Sequence, residues 1–527
     1  MTKVLVEKQV KDLRIRLENQ TAKFGLKEER YKEDILVLKN SLGNMPSQIE
    51  MLQKYIAERE TTIDELQNEV HELRKENSKL SEIIEALRNS IRKLAARLKK
   101  NSSTSDKPPS TDTFVKPQSL RTKSGKKPGG QIGHTGHGPK LFENPSKIIE
   151  KKPCTCDQCG GDVVVEEGYA RRQLVDFEIV LNITEERVFS GSCSQCGSTM
   201  SEEFDDEYKG PLQYGATMRA LIVLLNEYGC VSDSRTAEII NSMSGNILNV
   251  SWGTVVNIRK ELSEKLEAII NTIREMLITC EVLNADETSC RVNGKLNWIH
   301  IFCNSSYTLY GVGEKRGDFD DSVGILAYFV GILIHDHFLS YYKYESITHA
   351  ECNEHILRYL KGLAEIFEHA WVNDLSDLLK KACHEKNELL RAGITEMSLE
   401  DLEKFSEKFD EILKQGWAEY EAATQGDEKK EKYYGDERRL LTRLGEYKDE
   451  HTLFLRDFRV PFTNNGAEQG ARIVKVKGKV SGCFRGDDGD VWFSRIMSLI
   501  STLRKQNMSV FDGIRSAFLG QNLFSSA

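Results

Sequence analysis

Three carboxylates held close together can bind divalent cations, and this sequence offers three in suitable settings. Asp286 ends the short apolar run EVLNAD, and Asp336 follows a second one, GILIH. Glu468 lies far downstream in PFTNNGAEQGARIVKVKGK, where Asn464 and Asn465 read as a helix start and Gly466-Ala467-Glu468 as its first turn. Two aspartates at the ends of different strands meet at one edge of a sheet, and a helix can bring the glutamate beside them. In water, such a cluster repels itself and takes up protons. Mg²⁺ or Mn²⁺ relieves that repulsion, and a pair of such ions activates a nucleophile and stabilises the leaving oxygen of a phosphodiester. Each acid also has an ordinary reading, as a strand end, a turn or a solvated helix face, and spacing alone does not choose.

A second set of residues suggests different chemistry. CDQC supplies Cys156 and Cys159, CSQC supplies Cys193 and Cys196, and each pair is followed by glycine. Two such knuckles can complete a closed tetrahedral Zn²⁺ site, with Cys154 left as a spare. Between them, RRQLVDFEIVLNITEERVFSG alternates like two strands, so a small β-rich zinc domain is expected. A redox pair is the competing reading. The other cysteines are scattered, as suits a reducing cytoplasm. His349, Cys352 and His355 are possible zinc ligands, but they read better as ordinary helix-side residues, because no fourth ligand follows at a suitable spacing.

The elements that must position these groups divide the 527 residues into several parts. From Ile49 a heptad runs through Leu98, with Ile, Val and Asn77 at the a positions and Leu at the d positions, broken only by Arg59. That pattern predicts a parallel two-stranded coil with a second copy, or a long helix packed on its own chain. NSSTSDKPPSTDTFVKPQSLRTKSGKKPGG has almost no large apolar residues and reads as an extended, basic linker. Residues 213–278 read as three helices compatible with a helix-turn-helix. Around the first two acids, NWIHIFC and SYTLYGV are strand-like, and Asn293-Gly294 is a hairpin turn signal. After Asp336 about 120 residues carry helical stripes, an insertion ahead of Glu468.

Net charge is −8, but the positive charge is concentrated. Residues 91–140 hold twelve basic residues, Lys123, Lys126 and Lys127 among them, against two acids. Gln469 to Gly486 holds Arg472, Lys475, Lys477, Lys479 and Arg485 and no acid. Basic patches on an acidic chain point to DNA held at specific places. No run of 18 apolar residues suggests a membrane span, and the charged N-terminus is unlike a secretory signal.

NSSTSDKPPSTD, SGKKPGGQIGHTGH, the paired knuckles, NADET and VPFTNNGAEQGARIVKVKGKVSGCFR, followed by RIMSLISTLRKQ, occur in an order that resembles the transposases of the insertion sequence 66 family. The resemblance implies an RNase H-like core with an Asp-Asp-Glu triad at Asp286, Asp336 and Glu468. It also implies a zinc-binding domain and an N-terminal helical region. This chain departs from the family at His337-Phe338, where Gly-Tyr is usual, at Gln469, where Arg is usual, and in a short basic helix represented only by His355 and Arg358.

The expected whole is a multidomain α+β protein. Its parts are a coiled-coil region (1–100), a basic linker (101–147), a zinc-binding domain (148–207) and a helical, helix-turn-helix-like DNA-binding region (208–278). An RNase H-like α/β core (279–345 and 455–505), a helical insertion (346–454) and a C-terminal tail (506–527) follow. The expected activity is DNA transposition: Mg²⁺- or Mn²⁺-dependent cleavage frees a 3′-OH at the element end, which attacks target DNA in line. Structural Zn²⁺, double-stranded DNA, a second copy of the chain and accessory proteins encoded by the element are the expected partners, in a bacterial cytoplasm near the nucleoid. A non-catalytic DNA-binding regulator or defective copy is the alternative, separable by metal-dependent nicking. A cellular nuclease of the same fold would cut without joining.

Overall fold

The computed structural model describes residues 2–41, 46–99, 141–165, 167–205, 208, 210–521, 523 and 524. Most of the expected linker, with Lys123, Lys126 and Lys127, lies outside the described residues. The chain forms two compact units, Met1–Pro117 with Asn353–Phe458 and Gln118–Cys352 with Arg459–Ala527.

The first unit begins with two long helices, α1 (Thr2–Ser41) and α2 (Pro46–Lys99). They run antiparallel: Lys39 meets Glu60 at 3.3 Å, while Gln67 donates to Glu28 at 2.8 Å. Ile35, Ile56 and Ile63 are buried together, with Tyr31 and Leu38 packed on them. The first part of the heptad seam, at Ile56 and Ile63, therefore meets α1 of its own chain, while Leu80 and Leu87 further along stay exposed. The heptad defect has a local cause. The Arg59 guanidinium lies over the Tyr31 ring at 4.9 Å and the Tyr55 ring at 4.8 Å, so a cation sits at a d position on two aromatic faces.

In the second unit the two cysteine knuckles are built alike. A bridge joins Thr155 to Asp162 around the first, and β1 (Ser190–Ser192) pairs with β2 (Thr199–Ser201) around the second. The two strands expected across 171–191 do not form: only β1 appears at the end of that stretch. Leu174 and Phe177 stay 95% and 84% exposed, and alternation specifies a strand only where something takes up its apolar face.

The helices that follow are α3 (Ala216–Val223), α4 (Asp233–Met243), α5 (Trp252–Lys265) and α6 (Glu267–Ile278). A π-helical turn, Leu224–Tyr228, extends α3. Ser232 caps α4 and Ser251 caps α5, accepting from the Arg235 and Thr254 N–H groups. The long third helix expected from the sequence is divided at Leu266.

A five-stranded sheet comes next: β3 (Val282–Val292), β4 (Lys295–Cys303), β5 (Thr308–Gly313), then β6 (Ile332–His335) and β7 (Thr348–Glu351), with a short helix α7 (Phe319–Ser322) between β5 and β6. Strand order is β5-β4-β3-β6-β7; β3, β4 and β5 are antiparallel, while β6 runs parallel to β3 and β7 to β6. Asn293 and Gly294 both adopt left-handed φ, forming the hairpin turn that their types favour.

The chain then re-enters the first unit as α8 (Asn353–Ala364), α9 (Ala370–Arg391), α10 (Leu399–Thr424), α11 (Glu428–Tyr433), α12 (Gly435–Glu446) and α13 (Lys448–Arg456). Their stripes bury Trp371, Leu375, Phe409 and Leu441. The insertion thus begins after β7 and not at residue 346.

The second unit closes with α14 (Asn465–Ser481), α15 (Gly489–Lys505) and α16 (Val510–Phe518). α15 covers the edge strand β5. Its Ser498 and Thr502 hydroxyls accept the Tyr310 and Thr308 N–H groups at 2.9 and 3.1 Å, which an edge strand would otherwise leave unpaired. The expected C-terminal tail is part of the core, where Ile514, Ala517 and Phe518 are buried. The same core holds Ile222, Val255, Leu262 and Ile273, so the helix-turn-helix-like region is not a separate domain.

Candidate functional site

Parallel pairing of β3 with β6 ends at Asn284 opposite Ile334. Two residues further on each chain stand Asp286 and Asp336, so the strand register brings the two aspartates level. Asp286 is not at a strand end, as its apolar run suggested: β3 continues past it to Val292. Asp336 directly follows β6.

Glu468 lies in the first turn of α14, which packs on β3 and β4. Glycines allow the close approach. A Cβ on Gly466 would come 3.3 Å from Cys303 Sγ, and one on Gly470 would come 2.9 Å from Ile301 Cγ2. Asn464 stands at the N-cap position but its side chain does not cap the helix. It crosses to the sheet instead, donating to the Ala285 carbonyl at 2.7 Å and accepting from Asn284 at 2.9 Å. Cys352, at the end of β7, accepts the Asn464 N–H at 3.2 Å, and its thiol reaches Glu468 Oε1 at 3.9 Å.

The three acids share one electrostatic neighbourhood. Burial holds the Asp286 carboxyl well above the usual carboxylate range, and the charges of Glu287, Asp336 and Glu468 add to the rise. Among the described residues, however, the three acids do not bring three ligand atoms within 4.8 Å of one another, so what links them here is charge and not a closed ligand set.

A fourth acid was missed in the sequence. Burial and the Asp336 charge push Glu287 up to about 7, against the opposing pull of Arg316. Arg316 donates to Glu287 Oε1 at 2.7 Å, stands 3.4 Å from Asp336 Oδ2 and lies 4.0 Å from the centre of the Phe338 ring. Tyr341 donates to the other Glu287 oxygen at 2.7 Å. The available signal was the acid immediately after Asp286 within a buried strand. His335, beside Asp336, is buried and held down to about 4, with its Nε2 3.1 Å from His349 Nδ1. His337 pairs with Glu351, which also accepts from Tyr342 at 2.6 Å.

The basic run on and just after α14 divides in two. Arg472, Lys479 and Arg485 are exposed. Lys477 is buried, bonded to the Asn226 carbonyl at 2.8 Å and paired with Glu227 at 3.0 Å. Lys475 donates to the Ser289 carbonyl at 2.7 Å and its hydroxyl at 3.0 Å. As placed, Lys477 is buried and Lys475 is half-buried, and both ammonium groups are bonded within the protein, unlike the expected DNA contacts.

At each knuckle a glycine in left-handed φ closes the turn, Gly160 at 72° and Gly197 at 75°. Cys156 N–H donates to the Gly161 carbonyl, and Cys193 N–H to the Ser198 carbonyl. The Ser198 hydroxyl and backbone, with the Cys193 sulfur, draw the Cys196 thiol down to about 7, and backbone N–H groups with Cys159 lower Cys156. Each pair thus suits thiolate ligation of Zn²⁺. The pairs stay apart, however. Among the described residues, no three of the four sulfurs come within 4.8 Å of one another.

A mixed sheet with carboxylates level on adjacent strands, helices on the sheet and long helices ahead of it defines a multidomain α+β protein with an acidic site. Residues 211–491 match the family described as "Transposase IS66 family", more than half the chain, and the protein belongs to that family. Residues 45–140 match a second, described as "Family of unknown function (DUF6444)". No curated protein matches the chain. Family membership carries transposase function and, with it, binding to DNA. Among the described residues no helix is long and apolar enough to cross a membrane.

Proposed function

We propose that this transposase cleaves the ends of its insertion sequence and joins the freed 3′-OH to target DNA at a site formed by Asp286, Asp336 and Glu468. The observation that carries the reading is the shared field of the three acids: burial and the charges of Glu287, Asp336 and Glu468 hold the Asp286 carboxyl well above its ordinary range. The strand order, three antiparallel strands followed by two parallel ones, supports an RNase H-like core.

Asp286 and Asp336 stand level by the register of β3 and β6, and Glu468 lies in the first turn of α14, which packs on β3. Divalent ions held there would activate the attacking oxygen and stabilise the leaving one. Arg316, 3.4 Å from Asp336, offsets part of the acidic charge that would repel a DNA phosphate. Exposed Arg472, Lys479 and Arg485, with Lys123, Lys126 and Lys127 of the linker, hold the DNA backbone. The two knuckle pairs, Cys156 with Cys159 and Cys193 with Cys196, offer thiolates suited to structural Zn²⁺.

The test is nicking and strand transfer of a labelled element end in Mg²⁺ or Mn²⁺. Asp286→Asn, Asp336→Asn and Glu468→Gln should each bind DNA normally and lose cleavage by several orders of magnitude. Full activity in any one variant removes that residue from the site. Cleavage without joined product favours a nuclease.

A further inference from the structure

α14 carries Glu468 in its first turn and is tied down on two sides further along. Seven residues separate Glu468 from Lys475, close to two full helical turns, so both lie on one face. Lys475 closes that face onto β3 by bonding Ser289, on the same strand as Asp286. Lys477 is two residues on and projects from nearly the opposite side. It enters a buried ionic group on the helices before the sheet: Glu227, which also pairs with Arg259, and through Arg259 the Asp233 carboxylate at 3.4 Å.

The π turn explains why this socket exists. The Gly229 and Val231 N–H groups bond the Leu224 and Leu225 carbonyls, and the Asn226 carbonyl accepts from Lys477. The Asn226 amide donates to the Val231 carbonyl at 2.9 Å and to Asp233 at 2.8 Å, fixing the turn in place. Glu227 is fully buried, and an unpaired carboxylate there would be strongly destabilising. Two cations on opposite sides of one helix, each with fixed acceptors, leave α14 little freedom to slide or rotate.

We propose that Lys475 and Lys477 are positioning residues for Glu468, which hold α14 at the height and rotation that place its carboxylate beside Asp286 and Asp336, and that neither contacts a DNA phosphate. This rests on the reading of the three acids as metal ligands. It reassigns two members of a basic run whose composition suggests DNA contact throughout.

The test uses full-length protein and three measurements: Mn²⁺ binding without DNA, the salt dependence of DNA binding in Ca²⁺, and thermal melting. Lys475→Met should weaken Mn²⁺ binding about tenfold, the size expected when support for a metal ligand is lost. Removing a cation near carboxylates would by itself tighten Mn²⁺ binding, so weakening reports lost placement. The slope of log K against log salt should not change. Lys477→Met leaves the buried group of Glu227, Arg259 and Asp233 with an excess negative charge and should melt lower. The Glu227→Gln/Lys477→Met pair restores charge balance and should recover the melt while Mn²⁺ binding stays weak. Lys479→Ala and Arg485→Ala should behave oppositely, each reducing the salt slope by about 0.9 with Mn²⁺ binding intact.

A slope reduced by about 0.9 in Lys475→Met, with normal Mn²⁺ affinity, makes that lysine a phosphate contact and overturns the proposal. So does normal Mn²⁺ binding in the Glu227→Gln/Lys477→Met pair. Mn²⁺ binding that Asp286→Asn leaves unchanged overturns the underlying carboxylate reading, an outcome separate from either lysine result.

Discussion

The Asn464 side chain donates to the Ala285 carbonyl at 2.7 Å, one residue ahead of Asp286 and four ahead of Glu468 in their respective segments. One buried amide thus spans the two segments that carry two of the three acids. Its oxygen accepts from Asn284, so donor and acceptor are both satisfied. Asn464→Ala leaves the Asn284 amide and Ala285 carbonyl without this partner and should destabilise the protein by about 1–3 kcal/mol. Asn464→Asp should be worse at neutral pH, because it sets a carboxylate against the Ala285 carbonyl next to a cluster that already repels itself. Urea unfolding of the chelated proteins measures the order. A more stable Asp variant would show that Asn464 acts only as a helix cap.

The acid cluster makes metal-free stability depend on pH. Free carboxyls ionise near pH 4. Below that, folded and unfolded chains are both protonated and nothing is lost. Above it, the unfolded chain releases protons that the folded chain retains at Asp286 and Glu287, whose carboxyls are raised, Glu287 to about 7. Stability therefore falls as pH rises from about 4 to about 7. In chelator, Asp286→Asn should melt higher than wild type at pH 7. The gap should close at pH 4. Excess Mg²⁺ should stabilise wild type more than the variant. An Asp286→Asn melt equal to wild type throughout would mean that these carboxylates do not strain the fold.

The N-terminal hairpin gives an independent check in the first unit. Arg59 reads as a flaw in the heptad only if its partner is a parallel second copy. Against α1 it stacks on Tyr31 and donates to the Tyr55 hydroxyl at 2.5 Å. Arg59→Ala should cost the hairpin about 0.5–1 kcal/mol, and Tyr31→Ala should remove much of the same contribution, so the double variant falls short of additivity. Full additivity would separate the two side chains.

The parts of the fold legible in the sequence are those fixed by local rules. The turn at Asn293-Gly294, the caps at Ser232 and Ser251 and the helical stripes after Asn353 each follow from a few neighbouring residues. What was not legible depends on distant partners. Whether a seam of Ile and Leu meets a second copy or α1 is decided by a segment whose own stripe is irregular. Lys475 and Lys477 have the composition of a phosphate-binding run, and only tertiary packing turns them toward Ser289 and Glu227. Glu287 was hidden by its neighbour, since its use needs Arg316 and Tyr341 from later loops.

The glycines of GAEQG test how closely α14 must approach the sheet. Alanine is the better helix former by about 1 kcal/mol, so each Gly→Ala change carries a gain that a clash must exceed. At Gly466 the new methyl would stand 3.3 Å from Cys303 Sγ, and a shift of a few tenths of an ångström relieves it. Gly466→Ala should therefore be close to neutral in stability. At Gly470 it would stand 2.9 Å from Ile301 Cγ2 and 3.0 Å from the Tyr310 hydroxyl oxygen, and both neighbours are fixed within the core. Overpacking of that kind costs about 1–3 kcal/mol, more than the propensity gain. The helix can yield only by lifting from β4, and that carries Glu468 away from Asp286. Gly470→Ala should thus lower the melt, weaken Mn²⁺ binding and reduce cleavage together, while DNA binding in Ca²⁺ persists through exposed Arg472, Lys479 and Arg485. Gly466→Ala should keep all four properties near wild type. Equal behaviour of the two variants would mean that α14 does not need this contact with the sheet to place its glutamate.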